Sequence, residues 1–217
     1  MVLGIAMMAT MVPTILGLNE ASNATRNSEE NRKENARKSR SGLLAVCNPS
    51  EGSLSQREQV HNAKVYLGRD HKLYISKHPD ASMTPFNGHF YNHPDFEDDN
   101  LSGLVAMSAE DKPLARWIFV DQETNEVRWG GRADSEGHVC GPFDLAVGDE
   151  WLVLNDTQRW MAIKGSDAQL PEDSDASYDP SGETWQLYFD LSGMEGEDLP
   201  SGSQKMRIFL RRILAQY

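Results

Sequence analysis

The chain has few of the residues and patterns that usually disclose a function. Only two of its 217 residues are cysteine, Cys47 and Cys140. That is too few for a disulfide scaffold or a thiolate zinc site, and the simplest expectation is two buried thiols, with a single bridge between them left open. There is no phosphate loop, no dinucleotide fingerprint, no Gly-x-Ser-x-Gly elbow and no zinc-protease helix, so neither a cofactor nor a metal is expected. Positive charge is scarce as well: 21 Lys and Arg stand against 33 Asp and Glu, a formal net charge of -12. Six of those bases but only four of the acids precede residue 41, which leaves the rest of the chain strongly acidic. An acidic body lacks the basic face that phosphate contacts require, so nucleic acid is excluded as a partner.

Aromatic residues are missing from the first forty positions, and charge is missing from the first eighteen. Five Trp, seven Phe and six Tyr all lie after residue 65, which puts the core in the later three-quarters of the chain. Met1–Leu18 is mostly apolar, and as a helix its eighteen residues would reach roughly 27 Å, just short of a hydrocarbon core. Arg26, Arg32, Lys33, Arg37, Lys38 and Arg40 follow this segment and no base precedes it, an order that disfavours export. Pro13 and Gly17 interrupt it further. Three readings stay open: a helix that packs on the body or on a partner, which leads; a membrane anchor; and a cleaved signal. The expected location is cytoplasmic, with anchoring by residues 1–18 as the alternative.

Residues 19–42 are polar, with Ala as their main apolar type until Gly42. Glu29 with Lys33 and Glu34 with Lys38 have the spacing and order that support a helix, each by tenths of a kcal/mol. Without an apolar stripe this stem can bury no face, so it is a solvated helix or a linker. The body is expected over residues 43–217.

Short β-prone runs with turn residues between them fill that body: 43–47, 60–68, 73–77, 101–108, 114–121, 126–130, 151–154, 160–164, 185–190 and 206–213. The clearest hairpin joins Leu114–Asp121 to Glu126–Gly130 through a polar connection containing Asn125. Alternation there predicts a core face of Trp117, Phe119, Val127 and Trp129, with Arg116, Ile118 and Val120 opposite. Pro79, Pro85 and Pro94 argue against a central strand between residues 79 and 94. The expected fold is all-β: an antiparallel meander closing into a barrel or sandwich, a calycin-like barrel preferred, preceded by the helical segment.

Chemistry-bearing residues collect in two places. His89 and His93 are four apart, and with Asp95 and His138 they make a conceivable metal set whose spacing is not diagnostic, so no metal is assigned. Arg128, Arg132, Asp134, His138 and Cys140 crowd around Gly130, Gly131, Gly137 and Gly141, glycines that serve a close ligand or a bent strand equally well. Cys140 and His138 suggest a nucleophile only with an exposed thiol and an orienting group, and none can be assigned.

The segments Gly4-Ile-Ala-Met-Met-Ala-Thr-Met-Val-Pro-Thr, Val60-His-Asn-Ala, Thr84-Pro-Phe-Asn-Gly, Arg128-Trp-Gly-Gly-Arg and Gly137-His-Val-Cys-Gly-Pro-Phe-Asp together resemble a group of small, poorly characterised proteins of filamentous fungi. The resemblance covers most of the chain and implies no particular activity. Some similar chains are encoded among natural-product pathway genes, which leaves a ligand-binding or isomerase-like role open. The leading expectation is a non-enzymatic binding or interaction protein whose apolar amino-terminal segment docks to a protein partner, a second copy or a membrane, or whose body takes a small hydrophobic ligand. The alternative is a small barrel enzyme, an isomerase or cyclase acting on a hydrophobic natural-product intermediate. Its candidate residues are His89, Tyr91, His93, Arg128, Arg132 and His138.

Overall fold

The computed structural model describes residues 25–92, 102–107, 114–146, 148–165, 183–194 and 202–214. The chain divides into two compact units, Met1–Lys38 and Ser39–Tyr217. In the first, residues 25–38 form helix α1, an exposed helix carrying the expected Glu34–Lys38 ion pair. No helix among the described residues is long and apolar enough to cross a membrane. Residues 1–18 lie outside the described residues.

The second unit opens with β1 (Ser41–Cys47), whose strict alternation turns Leu43, Ala45 and Cys47 inward. β1 is paired along its whole length with β13 (Gln204–Leu214), from Ser41↔Leu214 to Cys47↔Ile208. The first strand and the last are therefore neighbours. Between them run β2 (Ala63–Leu67), β3 (Leu73–Ser76), β4 (Thr84–Pro85), β5 (Gly88–Tyr91), β6 (Gly103–Met107), β7 (Ala115–Val120), β8 (Val127–Gly130), β9 (Phe143–Ala146), β10 (Trp151–Leu154), β11 (Trp160–Lys164) and β12 (Trp185–Phe189). Two short helices interrupt them, α2 (Leu54–Val60), opened by a Ser53–Gln56 capping box, and α3 (Arg132–Ser135).

Antiparallel pairs carry the sheet round a closed circuit of six strands, β1–β2–β3–β12–β11–β13 and back to β1. The remaining strands run from β1 through β5 and β6, and the Phe143 N–H at the start of β9 donates to Ser102 O at the foot of β6 (2.8 Å). β9 then pairs with β10, and β10 with β13. One relation recurs in each third of the chain: Leu67↔Thr84, Val120↔Val139 and Trp160↔Ile208. The hairpins β2–β3, β7–β8 and β11–β12 also meet as a triangle, through Trp185↔Ile75, Lys72↔Arg128 and Glu126↔Tyr188. A calycin-like meander pairs each strand with its chain neighbours, so that expectation is corrected: the barrel is real, but it is threefold. The physical reason is that each hairpin finds its partners in the other two thirds, which a pass along the chain cannot reveal.

Aromatic side chains fill the interior. Trp160, Trp185, Phe143 and Phe189 are fully buried, and burying each contributes at least roughly 1.5–3 kcal/mol. Their indole N–H groups are satisfied: Trp160 Nε1 donates to Leu152 O (2.8 Å) and Trp185 Nε1 to Gln59 Oε1 (3.0 Å).

The β7–β8 hairpin forms where expected, and Asn125 occupies its turn with φ +61°. The expected face of β7 is reversed. Ile118 and Val120 enter the core opposite Trp129 and Val127, whereas Trp117 is half-buried on the outer side and Phe119 packs away from the main core. A register displaced by one residue exchanges every inward and outward side chain. The prolines did not exclude a central strand either: Pro85 ends the short β4, and β5 begins three residues later with partners on both sides.

Candidate functional site

The residues expected to act together are spread over the second unit. His89 and Tyr91 stand on β5 beside Trp117 of β7, with ring centroids 6.5 Å apart for His89–Tyr91 and 6.1 Å for Tyr91–Trp117. Gly103 lies under this group because any Cβ there would fall 2.6 Å from the Trp117 ring. Tyr91 is 59% exposed, so the cluster faces outward rather than into the barrel. Burial, then the charge of Arg40, pushes the His89 imidazole below its ordinary pKa, and its Nδ1 has no hydrogen-bond partner among the described residues. His93 lies outside the described residues.

Arg128 and His138 belong to a second group around Asp121, at the turn of the β7–β8 hairpin. Asp121 Oδ1 accepts the N–H groups of Glu123 (3.0 Å) and Thr124 (3.2 Å), and its Oδ2 accepts from Arg128 Nη1 (3.2 Å). Burial pushes this carboxyl up, but the N–H groups of Thr124 and Glu123 and the Arg128 guanidinium outweigh it and hold the pKa below the ordinary value. His138 stacks on Phe119 with centroids 5.2 Å apart, and its Nδ1 accepts the Gln122 N–H at 3.4 Å. Arg132 stands exposed at the start of α3.

The glycines of this corner accommodate protein. Asp134 Oδ2 accepts the Gly131 N–H (2.7 Å), and a Cβ on Gly130 would sit 2.7 Å from that same side chain. Cys140 is buried, with its thiol donating to Ser135 O (3.2 Å), and Cys47 is pushed up to about 11 mainly by burial. The two cysteines are not joined. Among the described residues no three His, Cys, Asp or Glu side chains converge as metal ligands.

Sequence reasoning passed over a pocket on the outer wall. A depression of about 230 Å³ is lined by Gln158, Arg159, Met161, Asp190, Gly193, Arg207 and Phe209, where β11 and β13 run side by side and the turn after β12 crosses their end. Arg159 is fixed by three contacts: Nε donates to Thr157 Oγ1 (3.3 Å), Nη1 to Leu191 O (3.2 Å), and its guanidinium lies 5.7 Å from the Phe189 ring centroid. Asp190 Oδ1 accepts from Ser192 Oγ (3.0 Å) and the Gly193 N–H (2.9 Å), which shapes the turn. One signal could have found the place. Lys205, Arg207, Phe209 and Arg211 alternate along β13 and form a basic row in an acidic body.

No curated protein and no solved structure matches the chain. Residues 17–216 match the family model of a fungal beta-trefoil domain, which agrees with the three hairpins that meet across a closed barrel, and the chain belongs to that family.

Proposed function

We propose that this chain is a non-enzymatic binding or interaction protein, in which the trefoil is a rigid body and the apolar segment 1–18 docks to a partner protein, a second copy or a membrane. One observation carries the reading: the residues best suited to acid–base work form separate outward groups, while the interior is filled by Trp160, Trp185, Phe143 and Phe189. Catalysis in a barrel needs convergent groups around a cavity, whereas binding needs only a stiff wall with a shaped surface. The rival is an isomerase or cyclase acting on a hydrophobic natural-product intermediate, as the company of some similar fungal chains among pathway genes suggests. It would have to draw His89 and His138 to one substrate from different groups.

Removing Met1–Leu18 tests the docking head. The full chain is expected to sediment as a larger species, or to partition with membranes, and the truncated chain as a monomer in the soluble fraction. Identical behaviour of the two would remove the head from the proposal.

A further inference from the structure

The three hairpins of the trefoil are joined to one another by far less backbone than joins β1 to β13. Those two strands pair over seven residues, whereas β3 meets β12 through two pairs, and the β7–β8 hairpin meets its neighbours through the single bridges Lys72↔Arg128 and Glu126↔Tyr188. Side chains at those bridges supply the rest of the connection.

Lys72 precedes β3 in the first third of the chain, Glu126 precedes β8 in the middle third, and Tyr188 lies on β12 in the last. One oxygen, Glu126 Oε1, accepts from Lys72 Nζ (2.7 Å) and from the Tyr188 hydroxyl (3.3 Å). Each third thus gives one group to the same contact. Asp70 does not compete for Lys72: its Oδ1 accepts the Lys72 backbone N–H (3.3 Å), and its Oδ2 accepts the Tyr74 hydroxyl. Both oxygens of Asp70 serve its own hairpin, and the Lys72 ammonium crosses to the next.

The side chains of Lys72 and Glu126 are only 28% and 12% exposed, so water screens the pair incompletely. Burial, then the Glu126 charge, holds the Tyr188 phenol above its ordinary pKa and keeps it a donor. If Lys72 departs, a mostly buried carboxylate is left with one neutral donor. Such a charge is driven toward water, and moving there breaks the Tyr188 bond as well. Coupling between two equilibria is reciprocal, so opening at Tyr188 must also favour opening at Lys72.

We propose that Glu126 couples the hairpins β2–β3, β7–β8 and β11–β12 into one cooperative unit that opens as a whole, separately from the β1–β13 pairing. Lys72 and Tyr188 are its two arms.

Amide hydrogen exchange in low urea, followed by NMR on the full-length, isotopically labelled protein, reads each junction. The Trp129 N–H donates to His71 O (2.9 Å) across the first, and the Phe189 N–H donates to Asn125 O (3.0 Å) across the second. Both are expected to exchange through one opening with a common urea dependence, faster than the amides between β1 and β13. Lys72→Met is expected to speed both by about tenfold, including Phe189 at the junction Lys72 does not bridge. Lys72→Arg, which keeps the charge, is expected to stay within about threefold of the parent, and Tyr188→Phe to speed both amides about threefold. Lys64→Gln removes a charge from an exposed position on β2 and is expected to change neither.

An effect of Lys72→Met confined to Trp129, or of Tyr188→Phe confined to Phe189, would mean that the hairpins open independently and would overturn the coupling. Exchange of both amides together with those between β1 and β13 would overturn the separate unit, and equal losses in Lys72→Arg and Lys72→Met would overturn the ion pair as its basis. Should Lys72→Met fail to fold, Tyr188→Phe, which keeps the ring, decides the same question. The docking head is read separately, by sedimentation of the truncated chain.

Discussion

The glycine-rich corner after β8 and the outer wall at β11 and β13 carry similar inventories, each with arginines, an aspartate and an aromatic ring, and they use them in opposite ways. At the corner, the Asp121 carboxylate is enclosed by two backbone N–H groups and Arg128, His138 is stacked on Phe119, and Asp134 caps the bend. Most of those polar groups answer one another, although Arg128 Nε has no hydrogen-bond partner among the described residues. On the wall, Arg159 is fixed by groups without charge, and the neighbouring carboxylate is turned into its own loop. Self-satisfied polar groups rigidify a fold, while Arg159 is positioned by uncharged groups among the described residues. Density of reactive residue types is therefore a poorer guide to a site than the electrical balance among them.

The largest expected effect tests whether the corner is structure. Trp129 packs under His71 with ring centroids 4.7 Å apart and donates to Gly68 O, so it ties the β7–β8 hairpin to the β2–β3 turn. Trp129→Ala is expected to cost about 3–5 kcal/mol in urea unfolding, from the cavity and the lost partner of a buried carbonyl. A loss below about 1 kcal/mol would mean that the hairpin triangle does not hold the fold together.

A smaller effect separates the two regions by pH. The folded pKa of Asp121 lies below its unfolded value, so its contribution is fully present above the unfolded pKa, near 3.8, and is lost as pH falls through the folded value. The unfolded chain takes up the proton first in that window, so stability drops with pH. Asp121→Asn is expected to cost about 1–3 kcal/mol at pH 7 and to flatten the acid limb of a stability–pH curve below about pH 4. An acid limb left unchanged in Asp121→Asn would mean that the corner does not hold this carboxylate.

Much of this was legible in the sequence. The strands are short alternating runs, and the β7–β8 hairpin with Asn125 in its turn follows from local preference alone. Threefold order was not legible, because the contacts Lys72↔Arg128 and Glu126↔Tyr188 join residues more than fifty positions apart and leave no common word behind. The face of β7 departs from expectation for a different reason. Trp117 and Phe119 are the largest side chains of the strand, yet the core at that level takes Ile118 and Val120, while the larger rings cover Gly103 and His138 from outside. Size suggested the core face, and register decided it. Histidines and glycines drew attention to the corner, while the wall pocket is assembled from three stretches of chain, 158–161, 190–193 and 207–209, that show nothing unusual singly.

The smallest expected effect is also the sharpest division between the two regions. Arg207 is exposed on β13, opposite Met161 in register and outside the core. Charge changes at such positions generally move stability by no more than about 0.5 kcal/mol, so Arg207→Gln should unfold in urea almost as the parent does. Asp121→Asn, by contrast, should lose stability, so the two substitutions separate a corner whose polar groups hold the fold from a strand face whose outer charge does not. If Arg207→Gln instead unfolded more than about 1 kcal/mol earlier, its charge would be part of the fold's own balance. The wall would then be a second self-satisfied region, electrically no different from the corner.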